Sequence, residues 1–142
     1  MKYIGLLFLS LLFTPTHADV LKDKNAAKTL AASVMKKVGE GKTIEGVDLV
    51  KDYIIVPPPE FETLKNTIAM QSPMLRQRFG KTIGVELAEI EEVGESLMLI
   101  LYIQKYEKHL LRWKFYFYKP KNGWVLNTFN YDDTVQNMFS HQ

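Results

Sequence analysis

Four runs of strand length, residues 85–93, 97–106, 110–119 and 124–131, follow one another with only Gly94-Glu95-Ser96, Glu107-Lys108-His109 and Pro120-Lys121-Asn122-Gly123 between them. Links this short cannot carry a crossover, so consecutive strands must be antiparallel neighbours. Asn122-Gly123 is the strongest turn signal, because both residues tolerate the positive φ of a tight hairpin. In the third run Leu111, Trp113, Phe115 and Phe117 alternate with Arg112, Lys114, Tyr116 and Tyr118, which gives one apolar and one amphipathic face. The second run, 97–103, is apolar on both faces and reads as central or doubly covered. In the first run Val85 and Leu87 share one parity, while Ala88 and Ile90 share the other. A β-bulge reconciles them, and helical spacing of Leu87, Ile90 and Val93 is the other reading.

The residues before this meander follow a different period. Between 20 and 38, Ala27, Leu30, Ala31, Val34, Met35 and Val38 recur at three- and four-residue spacing, the stripe of one amphipathic helix that Gly39 and Gly41 end. Residues 46–53, with Val47, Leu49 and Val50, suggest a short second helix stopped by Pro57-Pro58-Pro59. A third opens near Pro58 or Pro59 and runs through Phe61, Leu64, Ile68, Met70, Leu75 and Phe79 to Gly80. Pro73 should kink or divide it. The expected fold is therefore α+β, with N-terminal helices at about 20–80 packed on a curved antiparallel β-meander at about 84–131, a cone-shaped roll followed by a short C-terminal tail.

The first eighteen residues read as an export signal. Lys2 precedes an apolar run over residues 4–13, and Thr16 and Ala18 supply the small residues a signal peptidase needs, so cleavage is expected before Asp19. That run is too short to span a bilayer, and no second long apolar run follows. The expected mature chain is one domain, residues 19–142, periplasmic or secreted, with no membrane span. The absence of cysteine excludes thiol catalysis, zinc-thiolate sites and iron-sulfur clusters. With 18 basic against 16 acidic residues the charge is too balanced for a chain built around a nucleic-acid backbone.

The order of elements, with Phe79-Gly80 closing the third helix and Gly123-Trp124 opening the last strand, resembles the nuclear transport factor 2-like superfamily, also called cystatin-like or SnoaL-like. The resemblance covers most of residues 20–131 and implies a curved sheet wrapped around a long helix. It leaves the activity open, because the fold hosts isomerases, dehydratases, adaptors and secretion-system parts. The enzymes among its members place an acidic base or a His-Asp pair inside the cone.

No such base stands out in the sequence. Asp48 and Asp52 would share a helix face around Lys51, either as a carboxylate pair or as a solvated surface. Asp132-Asp133 follows the last strand, as a pocket mouth or an exposed strand exit. Glu86, Glu89, Glu91, Glu92 and Glu95 keep an edge strand soluble. His109 and His141 lack a histidine at ligand spacing, and no nucleophile elbow or phosphate loop is present. No cofactor or metal is expected. Beyond the signal, 11 of the 14 aromatic residues lie between Tyr102 and Phe139. Trp113, Phe115 and Phe117 are candidates to line an apolar cone cavity holding a small apolar ligand. Arg112, Lys114, Tyr116 and Tyr118 are candidates for an interface with a second copy or an envelope protein. The reading is a non-catalytic binding or interaction module, the alternative a small isomerase or dehydratase with an unidentified pocket base.

Overall fold

The computed structural model describes residues 18–139; the expected signal segment and His141 lie outside them, save for Ala18. Leu21 pairs with Trp124 in an isolated bridge, so the first helix starts later than its periodicity, where Asp23 accepts a hydrogen bond from the Ala26 amide at 2.8 Å. Helix α1, Lys24–Gly39, buries Ala27, Ala31, Val34, Met35 and Val38. It ends in a Schellman turn: the Lys42 amide donates to the Lys37 carbonyl and the Gly41 amide to Val38, with Gly41 at φ 78°.

Helix α2, Thr43–Asp48, lies upstream of the expected 46–53. Past Asp48 the chain turns on i→i+3 bonds, Leu49 to Gly46, Val50 to Val47 and Lys51 to Asp48, which leave Leu49 exposed and Val50 buried. Gly46 allows α2 to lie directly on α1, since a Cβ there would stand 2.8 Å from the Val34 carbonyl oxygen and 3.1 Å from Lys37 Cβ. Gly46→Ala is therefore expected to destabilise the fold by about 1–3 kcal/mol despite the better helix propensity of alanine. A urea midpoint that stays put or rises would contradict that contact.

Helix α3, Pro58–Phe79, runs through Pro73 as one element, so the proline does not divide it. Pro73 is exposed, so the hydrogen bond its nitrogen cannot make to Ala69 is lost on the outside of the fold, where it is tolerated. Gly80, at φ 88°, ends the helix.

Strands β1 (Thr82–Val93), β2 (Leu97–Tyr106), β3 (Leu110–Tyr118) and β4 (Val125–Asp132) form one curved, unclosed antiparallel sheet in sequence order. The register of β1 on β2 shifts between Leu87 and Glu89, so the bulge falls at Ala88 and brings Val85, Leu87 and Ile90 to one face. The helices cover the inner face. Met98, Ile100, Leu111, Trp113, Phe115, Phe117, Leu126 and Phe129 share one buried core with the α1 stripe and with Phe61, Ile68 and Phe79 of α3. The outer edge of β4 is covered by residues 53–55: the Ile55 amide donates to the Leu126 carbonyl, and the Leu126 amide to Tyr53. Glutamates line the β1 edge. A short 3-10 helix, Val135–Phe139, follows. None of the described helices is long and apolar enough to cross a membrane.

Candidate functional site

Trp113, Phe115 and Phe117 are each about 1% exposed. Trp113 stacks near Phe115 and Phe129 with ring centroids 6.3 Å away in both cases, and lies 4.9 Å from Tyr131. The Trp113 Nε1 proton goes to Gln104 Oε1 at 2.9 Å, and Gln104 Nε2 donates to Thr82 Oγ1 at 2.9 Å. The three rings are packed against protein, and none of them lines the clefts of about 270, 340 and 740 Å³ that open among the described residues.

Strand alternation puts Arg112, Lys114, Tyr116 and Tyr118 on the opposite, outer face, and the register builds that face in rows. Glu86, Ile103, Arg112 and Asp132 stand side by side across the sheet. The next rows are Glu89, Leu101, Lys114 and Asn130, then Glu91, Leu99, Tyr116 and Thr128. Val93, Leu97 and Tyr118 continue the pattern. Read along the strands, the rows become stripes: acidic on β1, aliphatic on β2, cationic and aromatic on β3. Leu97 at 49% and Val93 at 59% exposure open the apolar stripe to solvent at one end, while Leu101 is covered by its neighbours.

The four interface candidates share that face but not one environment. Arg112 is buried, and its Nε and Nη2 donate to the two carboxylate oxygens of Asp132 at 2.7 Å each. Lys114 Nζ reaches the same carboxylate at 2.9 Å, leaving two cations on one anion. Tyr116 is half-buried and Tyr118 exposed. Burial works to raise the Asp132 carboxyl, but the bonds from Arg112, Lys114 and the Thr134 amide outweigh it and hold the group well below the usual carboxylate range.

A carboxyl depressed in the folded chain stabilises it above the unfolded pKa, about 3.9, and that contribution is lost as pH falls further towards the folded value. Stability should therefore decline below about pH 4, and Asp132→Asn should flatten that part of the decline. At neutral pH the same change should cost about 2 kcal/mol, less than in a fully buried pair because Asp132 keeps solvent contact. Denaturation midpoints across the acid range check both; parallel curves for the two proteins would contradict the assignment.

The remaining candidates are dispersed. Helix α2 ends at Asp48, so Asp52 does not share its face, and Asp48 instead meets Lys65 at 3.0 Å. Asp132 and Asp133 both line a cleft of about 270 Å³ with Gln71, Leu75 and Tyr131. There the Tyr131 hydroxyl donates to Gln71 Oε1, and burial together with nearby Tyr106 pushes its pKa up to about 12. Asp132 is held ionised by its cations, which is the opposite of a desolvated base with a raised pKa. His109 packs edge-on to Phe79 at 4.7 Å, with its Nε2 3.7 Å from Asp133. Among the described residues no group of three or more acidic or histidine side chains comes together as a metal site.

The stripes were not read from the sequence, although their ingredients were. Glutamates on β1 and cations on β3 become neighbours of the same leucine row only once register fixes which residues stand opposite one another. Comparison with known protein families, with curated proteins and with solved structures finds no match for this chain.

Proposed function

We propose that this chain is an exported, non-catalytic interaction module of the nuclear transport factor 2-like kind, and that the outer sheet face joins it to a second copy of itself. The observation that carries this reading is the stripe order on the outer face, acidic, aliphatic, then cationic and aromatic. A two-fold axis lying between two such faces and parallel to β2 sets the leucine stripes on each other. The same rotation places the β1 glutamates of each copy over the β3 row of the other, where Lys114 and the buried Arg112 share Asp132 and one positive charge is left over, with Lys114 the accessible cation. The face is self-complementary in both apolar area and charge.

Its size suits a reversible contact. With the axis over β2, three strands of each copy overlap; at about 4.8 Å spacing and about 30 Å length they present about 430 Å² per copy, about half the roughly 800 Å² of a stable complex. A dissociation constant on the order of micromolar is expected.

Sedimentation across a concentration series tests this. Wild type should shift from monomer to dimer, and salt should weaken the dimer by screening the charge stripes. Tyr116→Ser with Tyr118→Ser should leave the monomer folded and weaken association about tenfold. A doubly substituted protein that associates as well as wild type would place any contact elsewhere.

A further inference from the structure

The largest cleft among those described, about 740 Å³, lies on the helical side of the sheet, away from the striped face. One wall is the α1–α2 turn with Lys42, Thr43 and Ile44; the other is one face of α3, where Ala69, Ser72, Pro73 and Arg76 recur at three- and four-residue spacing. Lys81, Thr82 and Tyr106 close the end. Its charges are unevenly satisfied. Glu40 lies 3.9 Å from Lys42 and Glu45 lies 3.5 Å from Lys37, so both acidic residues of the lining already have a cation. Arg76 and Lys81 have no carboxylate within ion-pair distance among the described residues.

The rest of the lining offers hydrogen bonds in fixed positions. Thr82 is held by Gln104 Nε2 at 2.9 Å, and Gln104 is itself fixed by the Trp113 indole, so the floor of the cleft is anchored in the core. Tyr106 lines the cleft beside Thr82. Pro73 adds an apolar ring to the α3 wall beside Ala69. Two cations without an ion-pair partner, beside a Glu107 carboxylate that accepts from the Lys81 amide at 3.2 Å, together with hydroxyls and the apolar Ile44 and Pro73, describe one class of ligand.

We propose that this cleft binds a phosphate monoester carried on a small polyhydroxylated body, of the size of a sugar phosphate. Arg76 and Lys81 together match the charge of about −2 on a phosphate monoester, and arginine meets its oxygens in a bidentate fork. Thr43, Thr82 and Tyr106 address the hydroxyls, and Ser72, whose own proton goes to the Ile68 carbonyl at 2.9 Å, can only accept from them. A cleft of 740 Å³ accommodates a body beyond the phosphate itself, which a bare anion site would not require.

Calorimetric titration of the mature chain with glucose 6-phosphate, glucose and inorganic phosphate tests the proposal. Glucose 6-phosphate should bind, and more tightly than inorganic phosphate by about tenfold or more, with glucose weakest. Arg76→Gln combined with Lys81→Gln should weaken it at least tenfold at an unchanged melting temperature, both side chains being exposed. Arg76→Lys should lose part of the affinity, because it keeps charge but not the fork. No heat with glucose 6-phosphate at millimolar concentration, or binding untouched by the double substitution, would overturn the site. Equal affinity for inorganic and sugar phosphate would overturn the hydroxylated body.

Discussion

Replacing Trp113 by alanine is expected to cost about 3–5 kcal/mol of folding stability, the largest single loss anticipated for this chain. The indole is about 1% exposed and wedged among Phe115, Phe129 and Tyr131, so truncation leaves a void that four strands and three helices would have to collapse to fill. A second term is polar. Gln104 is 2% exposed, and its Oε1 accepts the indole proton; without it a buried acceptor is orphaned, which costs about 1–3 kcal/mol. Trp113→Phe separates the two terms, since it restores most of the ring and none of the hydrogen bond. Denaturant midpoints should rank wild type, then phenylalanine, then alanine. Variants of equal stability would mean the indole bond contributes nothing.

Leu99→Glu should abolish association while the monomer keeps its fold. Leu99 sits in the aliphatic stripe between Glu91 and Tyr116, on the face that the helices do not cover. The two-fold arrangement brings two copies of any substitution on this stripe close to the axis, and a carboxylate there joins an already acidic flank. Dimer affinity should fall by at least about 100-fold, roughly 2.7 kcal/mol. Circular dichroism and the melting curve should show a folded protein losing about 1 kcal/mol or less, because Leu99 is only half-buried. A Leu99→Glu protein that dimerises as wild type does would move the contact off the sheet.

Much of the architecture was legible in the sequence. The short links between residues 94 and 123 forced an antiparallel meander, and the alternation from Leu111 to Tyr118 assigned those β3 side chains to their faces; the parity change in β1 left a bulged strand and a helix both open, and the structure has the strand, with its bulge at Ala88. Helix ends were less legible. Asp23 as a cap is a local signal that apolar periodicity does not carry, whereas the bridge of Leu21 to Trp124 and the seating of α2 through Gly46 on Val34 depend on tertiary contacts. The site was legible only as ingredients. Alternation placed Arg112, Lys114, Tyr116 and Tyr118 together, but it could not reveal that Asp132 neutralises one of the two cations, nor that the β1 glutamates flank the same leucines. Trp113, Phe115 and Phe117 were correctly assigned to the inner face; whether that face is hollow depends on how closely the helices approach, which no strand pattern contains.

Zero-length carbodiimide cross-linking of a mixture of isotopically light and heavy protein tests the self-complementary face most directly. The two-fold arrangement predicts mixed light-heavy peptides that join Glu89 or Glu91 of one copy to Lys114 of the other, at protein concentrations where sedimentation finds dimer. Cross-links confined within single copies, from a protein that remains monomeric at the highest concentration reached, would contradict it.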